Sequence, residues 1–216
     1  MHEKAIEHLS QADKILGRLI KKVGPCNLGA EDEQSNLRHG PFAALVKAVV
    51  HQQLNGKAAS AILKRVLALY PKRSFPTPAD LLRTSEEELR AAGLSRSKVA
   101  AIRDIAAHTV SGLVPTAKAI AAMADHEILE KLTAIRGVGP WTVEMLLIFK
   151  LRRPDVLPAT DYGVRKGFAL IYRWKELPTP AELLAYGDTW RPYRSIAAWY
   201  LWRSLDLPEE KLLRRP

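Results

Sequence analysis

Cysteine is almost absent from this chain: Cys26 stands alone among 216 residues. One thiol excludes an internal disulfide framework. It also excludes a cysteine-ligated zinc finger or iron–sulfur cluster, each of which needs several sulfur ligands. Cys26 therefore reads as a small apolar filler. Long apolar runs are missing too. Nothing approaches the ~20 consecutive apolar residues of a membrane-spanning helix, so no membrane partner is expected. The opening MHEKAIEHLSQADK alternates in charge and carries no apolar signal-peptide core. A cytoplasmic protein is expected, nucleoid-associated if bacterial. No stretch alternates between polar and apolar residues in the manner of a strand.

Acidic residues are outnumbered, 23 against 33 basic ones, which leaves a formal charge of +10. Such an excess suits an anionic partner, with nucleic acid first among the candidates. Hydrophobic residues make up 47% of the chain, enough to build a core without covalent staples. Aromatics are unevenly placed. All five tryptophans and five of the six tyrosines follow residue 140.

Helical periodicity dominates. Ile6, Leu9, Ile15, Leu16, Leu19 and Ile20 share one face of a first helix. GPFAALVKAVVHQQL predicts a second, strongly apolar helix, and Asn55 is placed to cap a third. Thr77 and Thr179 precede Pro-Ala and read as N-caps with proline at the first helical position. Ser85 with Glu88, and Thr179 with Glu182, fit capping boxes. Gly93 reads as a helix stop, Ser95 as the next start and Gly112 as its end. The sum is an all-α protein of about ten helices.

One stretch stands apart. LTAIRGVGPWTVEMLLIF, from Leu132 to Phe149, sets two glycines and a proline between two apolar helical segments. Gly137 and Gly139 permit positive φ, and Pro140 suits the first turn of a helix. The pattern predicts helix, hairpin turn, helix, with N–H groups around Val138 turned outward to a phosphate. An ordinary αα-corner also uses glycine. The +10 charge favours the phosphate reading. Further on, Asp161 lies 20 residues after Trp141, in VLPATDYGVRKGF. On its own sequence context Asp161 is an N-cap, where a helix N-terminus favours negative charge.

These pieces together resemble the helix–hairpin–helix (HhH-GPD) superfamily of DNA glycosylases, and in particular its 3-methyladenine DNA glycosylase II branch. The resemblance is carried by GPW at the turn, TDY at the acid, WRPYRSIAAWYLW near the end and VVHQQL near the start. It spans roughly Gly40 to Leu205. The larger bacterial members also carry an N-terminal mixed α/β domain, whereas this chain begins directly with helices. The resemblance implies two helical subdomains with an active-site cleft between them. One comprises residues 40–149 and ends in the hairpin. The other combines 1–39 with 150–216.

The resemblance also implies a site. Asp161 is the catalytic acid, with Asp155 a rival in the neighbouring loop. Trp141, Tyr162 and Trp202 line an aromatic base pocket. Met145 stands where some relatives have another aromatic. Gln53, with Leu54 beside it, is the plug that fills the stack when a base is flipped out. Gly137, Val138, Gly139 and Arg165 contact the DNA backbone, with Arg136, Lys150, Arg152, Arg153 and Lys166 nearby. Backbone carbonyls of Thr133, Ile135 and Val138 hold a structural Na+ or K+. No cofactor is implied for catalysis, and no iron–sulfur cluster. Relatives that also nick the backbone place a lysine just after the hairpin, where this chain has Trp141. His51 is expected to be structural.

The expected function is hydrolytic excision of alkylated bases, of the 3-methyladenine and 7-methylguanine type, by a monomer acting on double-stranded DNA. Two other readings remain at this point: a DNA-binding protein that kept the hairpin without the chemistry, and a glycosylase for a different damaged base.

Overall fold

The computed structural model describes residues 2–29, 40–54 and 56–208. It contains no strand among these residues. The N-terminal helices are α1 (Glu3–Ala12) and α2 (Lys14–Val23). The middle of the chain forms α3 (Pro41–His51), α4 (Gly56–Ala68), α5 (Pro78–Arg83), α6 (Glu86–Ala91), α7 (Arg96–Val110) and α8 (Ala117–Ala121). Next come α9 (Asp125–Thr133) and α10 (Pro140–Met145), and α10 runs on as a π-helical turn, Leu146–Lys150. The last three helices are α11 (Tyr162–Tyr172), α12 (Pro180–Gly187) and α13 (Arg194–Ser204). Among the described residues the count exceeds the expected ten or so, in part because the first predicted helix is divided at Asp13 into α1 and α2. The expected cap at Asn55 lies outside the described residues.

Two compact units emerge: Met1–Glu31 with Arg152–Pro216, and Asp32–Leu151. In the first, Leu9, Leu16, Leu19 and Ile20 pack with Phe168, Leu183, Trp190, Ile196 and Tyr200. The apolar positions from Ile6 to Ile20 belong to two helices, not to one. Asp13 breaks them apart. Its backbone is extended, and its Oδ1 accepts the N–H groups of Ile15 at 2.9 Å and Leu16 at 3.0 Å, capping α2. Its other oxygen accepts from Tyr172 Oη, from Trp190 Nε1 at 3.0 Å and from Tyr186 Oη at 3.2 Å. Burial acts against the Asp13 charge. The Tyr172 and Trp190 donors and the two backbone N–H groups outweigh it, and the carboxyl stays below its ordinary pKa. Three of the aromatics after residue 140, Tyr172, Tyr186 and Trp190, thus form a cage around one N-terminal carboxylate.

The α11–α13 contact positions the candidate acid. Gly163 and Gly167 face α13, one turn apart. A Cβ at Gly167 would run into the Leu201 carbonyl, and one at Gly163 would lie 2.9 Å from Trp202 Cδ1. Glycine at both positions lets the two helices approach backbone to backbone.

In the second unit, α3, with Leu45, Val46, Val49 and Val50 buried, packs on α7, whose Val99, Ile102 and Ile105 are also buried, and on the α10 segment. The π turn is closed by the Leu151 N–H on the Leu146 carbonyl at 3.0 Å. Local chemistry sets most helix starts. Thr77–Asp80, Ser85–Glu88 and Thr179–Glu182 form complete capping boxes, and Ser95 caps α7. Gly93 and Gly112 take the left-handed conformation as helices end.

Candidate functional site

The hairpin is built from its ends inward. Helix α9 stops at Thr133. The Ile135 N–H then returns to Leu132 O at 3.1 Å, and the Val138 N–H to Ile135 O at 3.0 Å. Gly139 is the N-cap of α10; its carbonyl accepts from Thr142 at 3.0 Å and Val143 at 3.2 Å. The turn departs from the expectation at Val138. Only Gly137 uses the left-handed region, at φ +76°, whereas Gly139 is extended at φ −92°. And the Val138 N–H is spent inside the turn. The Gly137 and Gly139 N–H groups make no hydrogen bond to another backbone group among the described residues.

Glycine at 137 is required twice over. Besides its φ, a Cβ there would lie 2.5 Å from the Ala101 Cβ on α7. At Gly139 a Cβ would meet nothing within 4 Å, so that position is simply open. Helix α7 holds the turn at a second point, where Asp104 Oδ2 accepts the Arg136 N–H at 2.8 Å.

The carbonyls expected to hold a cation differ in how far they are committed to hydrogen bonds. The Thr133 and Val138 carbonyls accept none among the described residues, and Ile135 O accepts one. Helix ends leave such carbonyls in need of a partner. Three carbonyls with spare lone pairs, two of them wholly uncommitted, fit a hard monovalent cation.

Helix α3 ends at His51, three residues before the end of the predicted segment. Gln52 turns extended at ψ 132°, and Gln53 is left-handed at φ 56°. Gln53 and Leu54 are both exposed. His51 Nδ1 pairs with the Lys47 carbonyl at 2.8 Å, a structural contact as expected. Two residues absent from the sequence reading fix this turn. Gln52 Nε2 donates to Gly137 O at 2.9 Å and to Thr142 Oγ1 at 2.8 Å. Lys98 Nζ donates to Val50 O at 2.7 Å and to Gln52 O at 2.9 Å. Burial pulls the Lys98 ammonium below its ordinary pKa. Both signals were in the sequence only as polar residues beside apolar helices. Their partners are 46 to 90 positions away.

Trp141 lies in the first turn of α10, and Met145 one turn further on; both are half-buried. Asp161 is the N-cap of α11. Its Oδ1 accepts from the Val164 N–H at 2.8 Å and from Trp202 Nε1 at 2.8 Å. Two donors from different helices thus fix the carboxylate plane. The structure brings Asp161 and Trp202 together as a bonded pair. This pairing went unread in the sequence; the signal that could have disclosed it is the G-x-x-x-G of Gly163 and Gly167, which lets α13 close on the acid. Tyr162 is 63% exposed, with Lys166 Nζ 5.9 Å from its ring centroid. Arg165 gives its Nε–H to Pro178 O at 2.7 Å. Asp155 is excluded as the acid, because it is held by Arg194 Nε at 2.7 Å and Arg191 Nη1 at 2.8 Å. A carboxylate locked between two guanidiniums is a structural anchor.

The chain is similar in sequence and fold to known DNA repair proteins. The family described as HhH-GPD superfamily base excision DNA repair protein matches residues 46–192. DNA-3-methyladenine glycosylase 1 of Schizosaccharomyces pombe is 39% identical over 213 residues, covering 99% of this chain and 92% of that protein. A solved structure of S. pombe 3-methyladenine DNA glycosylase (Mag1) in complex with abasic DNA superposes with a TM-score of 0.89 at 39% identity. It covers 95% of this chain and 98% of that one. A crystal structure of a DNA-3-methyladenine glycosidase from Bacillus halodurans gives 0.75 at 35% identity, over 92% and 88%.

Proposed function

The chain belongs to the HhH-GPD superfamily of base excision DNA repair proteins, and from that premise we propose a monofunctional DNA glycosylase that hydrolytically excises alkylated bases. The target class is the 3-methyladenine and 7-methylguanine type, in double-stranded DNA, and the enzyme acts as a monomer. The observation that carries this reading is the Asp161 carboxylate held by Val164 N–H and Trp202 Nε1, both at 2.8 Å.

The chemistry follows from charge. An N-alkylated purine is already cationic, so it leaves readily. The C1′–N bond breaks, and its electron pair departs with the base, which becomes neutral. Positive charge then builds on the sugar as an oxocarbenium-like centre. A carboxylate fixed beside the sugar stabilises that charge more than it stabilises the ground state, in which the positive charge lies on the base. Water adds to C1′ and gives up a proton, leaving an abasic sugar. Because the donors to Asp161 are already in place, no reorganisation is needed as the charge develops.

The other residues serve extrusion and capture. A base inside a duplex must leave the stack before its C1′ is reached. Gln53, with Leu54 beside it, fills the vacated space. Trp141, Tyr162 and Trp202 offer electron-rich faces to an electron-poor, cationic base. Met145 widens the range of shapes tolerated, being flexible and polarisable. The Gly137 and Gly139 N–H groups suit phosphate oxygens. The Thr133, Ile135 and Val138 carbonyls would hold a monovalent cation that offsets phosphate charge. The +10 formal charge makes binding fall with added salt.

Mass spectrometry of free bases released from methylated duplex DNA tests this function. 3-Methyladenine or 7-methylguanine is expected in the supernatant. Intact DNA after prolonged incubation with folded protein would reject the enzymatic reading in favour of a binding module.

A further inference from the structure

We infer that Gln52 and Lys98 are positioning residues that lock the turn carrying Gln53 to the helix–hairpin–helix, so that the plug and the strand grip move as one rigid piece. The inference rests on the glycosylase reading above and on Gln53 as the plug.

Several independent contacts meet at this point. Helix α3 stops at His51, and its last carbonyls need partners. Lys98 supplies them, at 2.7 Å to Val50 O and 2.9 Å to Gln52 O. By itself that would be only a helix cap. The Gln52 amide does something a cap does not. It reaches away from its own helix and bonds the hairpin twice, at the Gly137 carbonyl and the Thr142 hydroxyl. Gly137 lies in the turn itself, and Thr142 in the first turn of α10.

Helix α7 ties the two pieces together from behind. Lys98 holds the plug turn, Ala101 sits under Gly137, and Asp104 holds the Arg136 N–H. These residues are three apart, so they form one ridge along the helix. The plug turn and the hairpin are therefore mounted on a common rail. Gln53, next to Gln52, adopts φ 56°, a conformation rare for a residue with a side chain. Such backbone persists where its surroundings over-determine it. Here the surroundings are the four bonds of Gln52 and Lys98.

Rigid mounting matters for extrusion. The side chain must enter the stack at one fixed distance from the phosphates being gripped. A misplacement near 1 Å in such a constellation costs about 10²-fold in rate.

The test uses the full chain and the variants Gln52→Ala, Lys98→Met, Gln53→Ala and the double variant Gln52→Ala/Gln53→Ala. Undamaged duplex affinity, by fluorescence anisotropy, reads the grip. The fluorescence of 2-aminopurine beside a stable abasic-site analogue reads unstacking and needs no chemistry. Single-turnover base release reads the reaction. Gln52→Ala and Lys98→Met are expected to bind undamaged duplex within about 3-fold of the wild type, to lose most of the 2-aminopurine rise, and to slow release by about 10- to 100-fold. In the Gln53→Ala background, Gln52→Ala should add little, because it acts through that plug.

Full additivity in the double variant, or an unstacking signal equal to wild type in Gln52→Ala, would overturn the inference. So would a drop in undamaged-duplex affinity that matches the drop in release. If the wild type unstacks the duplex and releases no base, the glycosylase reading fails while the positioning role stands.

Discussion

Replacing Trp202 by phenylalanine removes one hydrogen bond and keeps an aromatic face. The indole Nε1–H donates to Asp161 Oδ1 at 2.8 Å, and the Val164 N–H donates to the same oxygen at 2.8 Å. A hydrogen bond to a charged acceptor contributes about 1.5–3 kcal/mol. Trp202 is half-buried, so solvent partly replaces the lost donor and the lower part of that range applies. The carboxylate keeps its cap on α11 but gains freedom to rotate about it. If that orientation serves the developing sugar cation, the loss falls on the chemical step. Converted at 1.36 kcal/mol per decade, release should slow by roughly 10- to 30-fold. The assay is single-turnover release of 7-methylguanine from methylated duplex at saturating enzyme, beside duplex affinity and a thermal melt. The expected result is a slower step with affinity within about 3-fold, since grip does not depend on this bond. Full-rate release by Trp202→Phe would refute the reasoning. A loss that tracks a lowered melting temperature would show instead that the indole only stabilises the α11–α13 contact.

Other outcomes follow from the same contacts. Gly137→Ala should destabilise the protein by about 1–3 kcal/mol and weaken duplex binding, because its Cβ meets Ala101 at 2.5 Å in a left-handed turn. Gly139→Ala, at φ −92° with open space, should melt within about 0.5 kcal/mol of wild type. Equal melts for the two would contradict the different reasons given for these glycines. Borohydride reduction during turnover should trap no covalent protein–DNA adduct, because Trp141 occupies the position of the lysine nucleophile; an adduct band on a denaturing gel would show a Schiff base.

Stability should also depend on acid. Asp80 is held down to a pKa of about 2 by the Thr77 hydroxyl and N–H, with Arg73 and Arg83 adding to the effect. Glu88 and Glu182 are lowered by the Ser85 and Thr179 N–H and hydroxyl groups. Carboxyls with folded pKa values below their unfolded ones contribute stability that is complete above the unfolded values. That contribution fades as pH falls through the folded ones. Melting temperature should therefore decline between about pH 5 and pH 2, and less steeply in Asp80→Asn.

The sequence disclosed what local chemistry decides. Thr77, Ser85, Ser95 and Thr179 announced their helices because a capping side chain acts within three residues. Gly137 and Pro140 announced a turn for the same reason. What distant partners decide stayed hidden. Asp13 breaks the first helix, yet the apolar face runs on across the break. The donors that secure its second oxygen lie 159 to 177 positions away. Gln52 looked like the polar end of a helix; its bonds to Gly137 and Thr142 exist only after folding. Which of the two glycines uses a positive φ was not legible, because glycine permits that value without requiring it. Asp161 was legible as a cap, and its bond to Trp202 was not, since it depends on the close passage of two helices at Gly163 and Gly167.

The most direct measurement compares wild type with Asp161→Asn on one alkylated duplex, reading base release and affinity together. Asparagine still offers an oxygen to the Val164 and Trp202 donors, so the local fold is retained while the charge is lost. Release is expected to fall by about 10³-fold with affinity little changed. An Asp161→Asn protein that frees the base at the wild-type rate would mean that the sugar cation is stabilised by another group, and the account would not survive it.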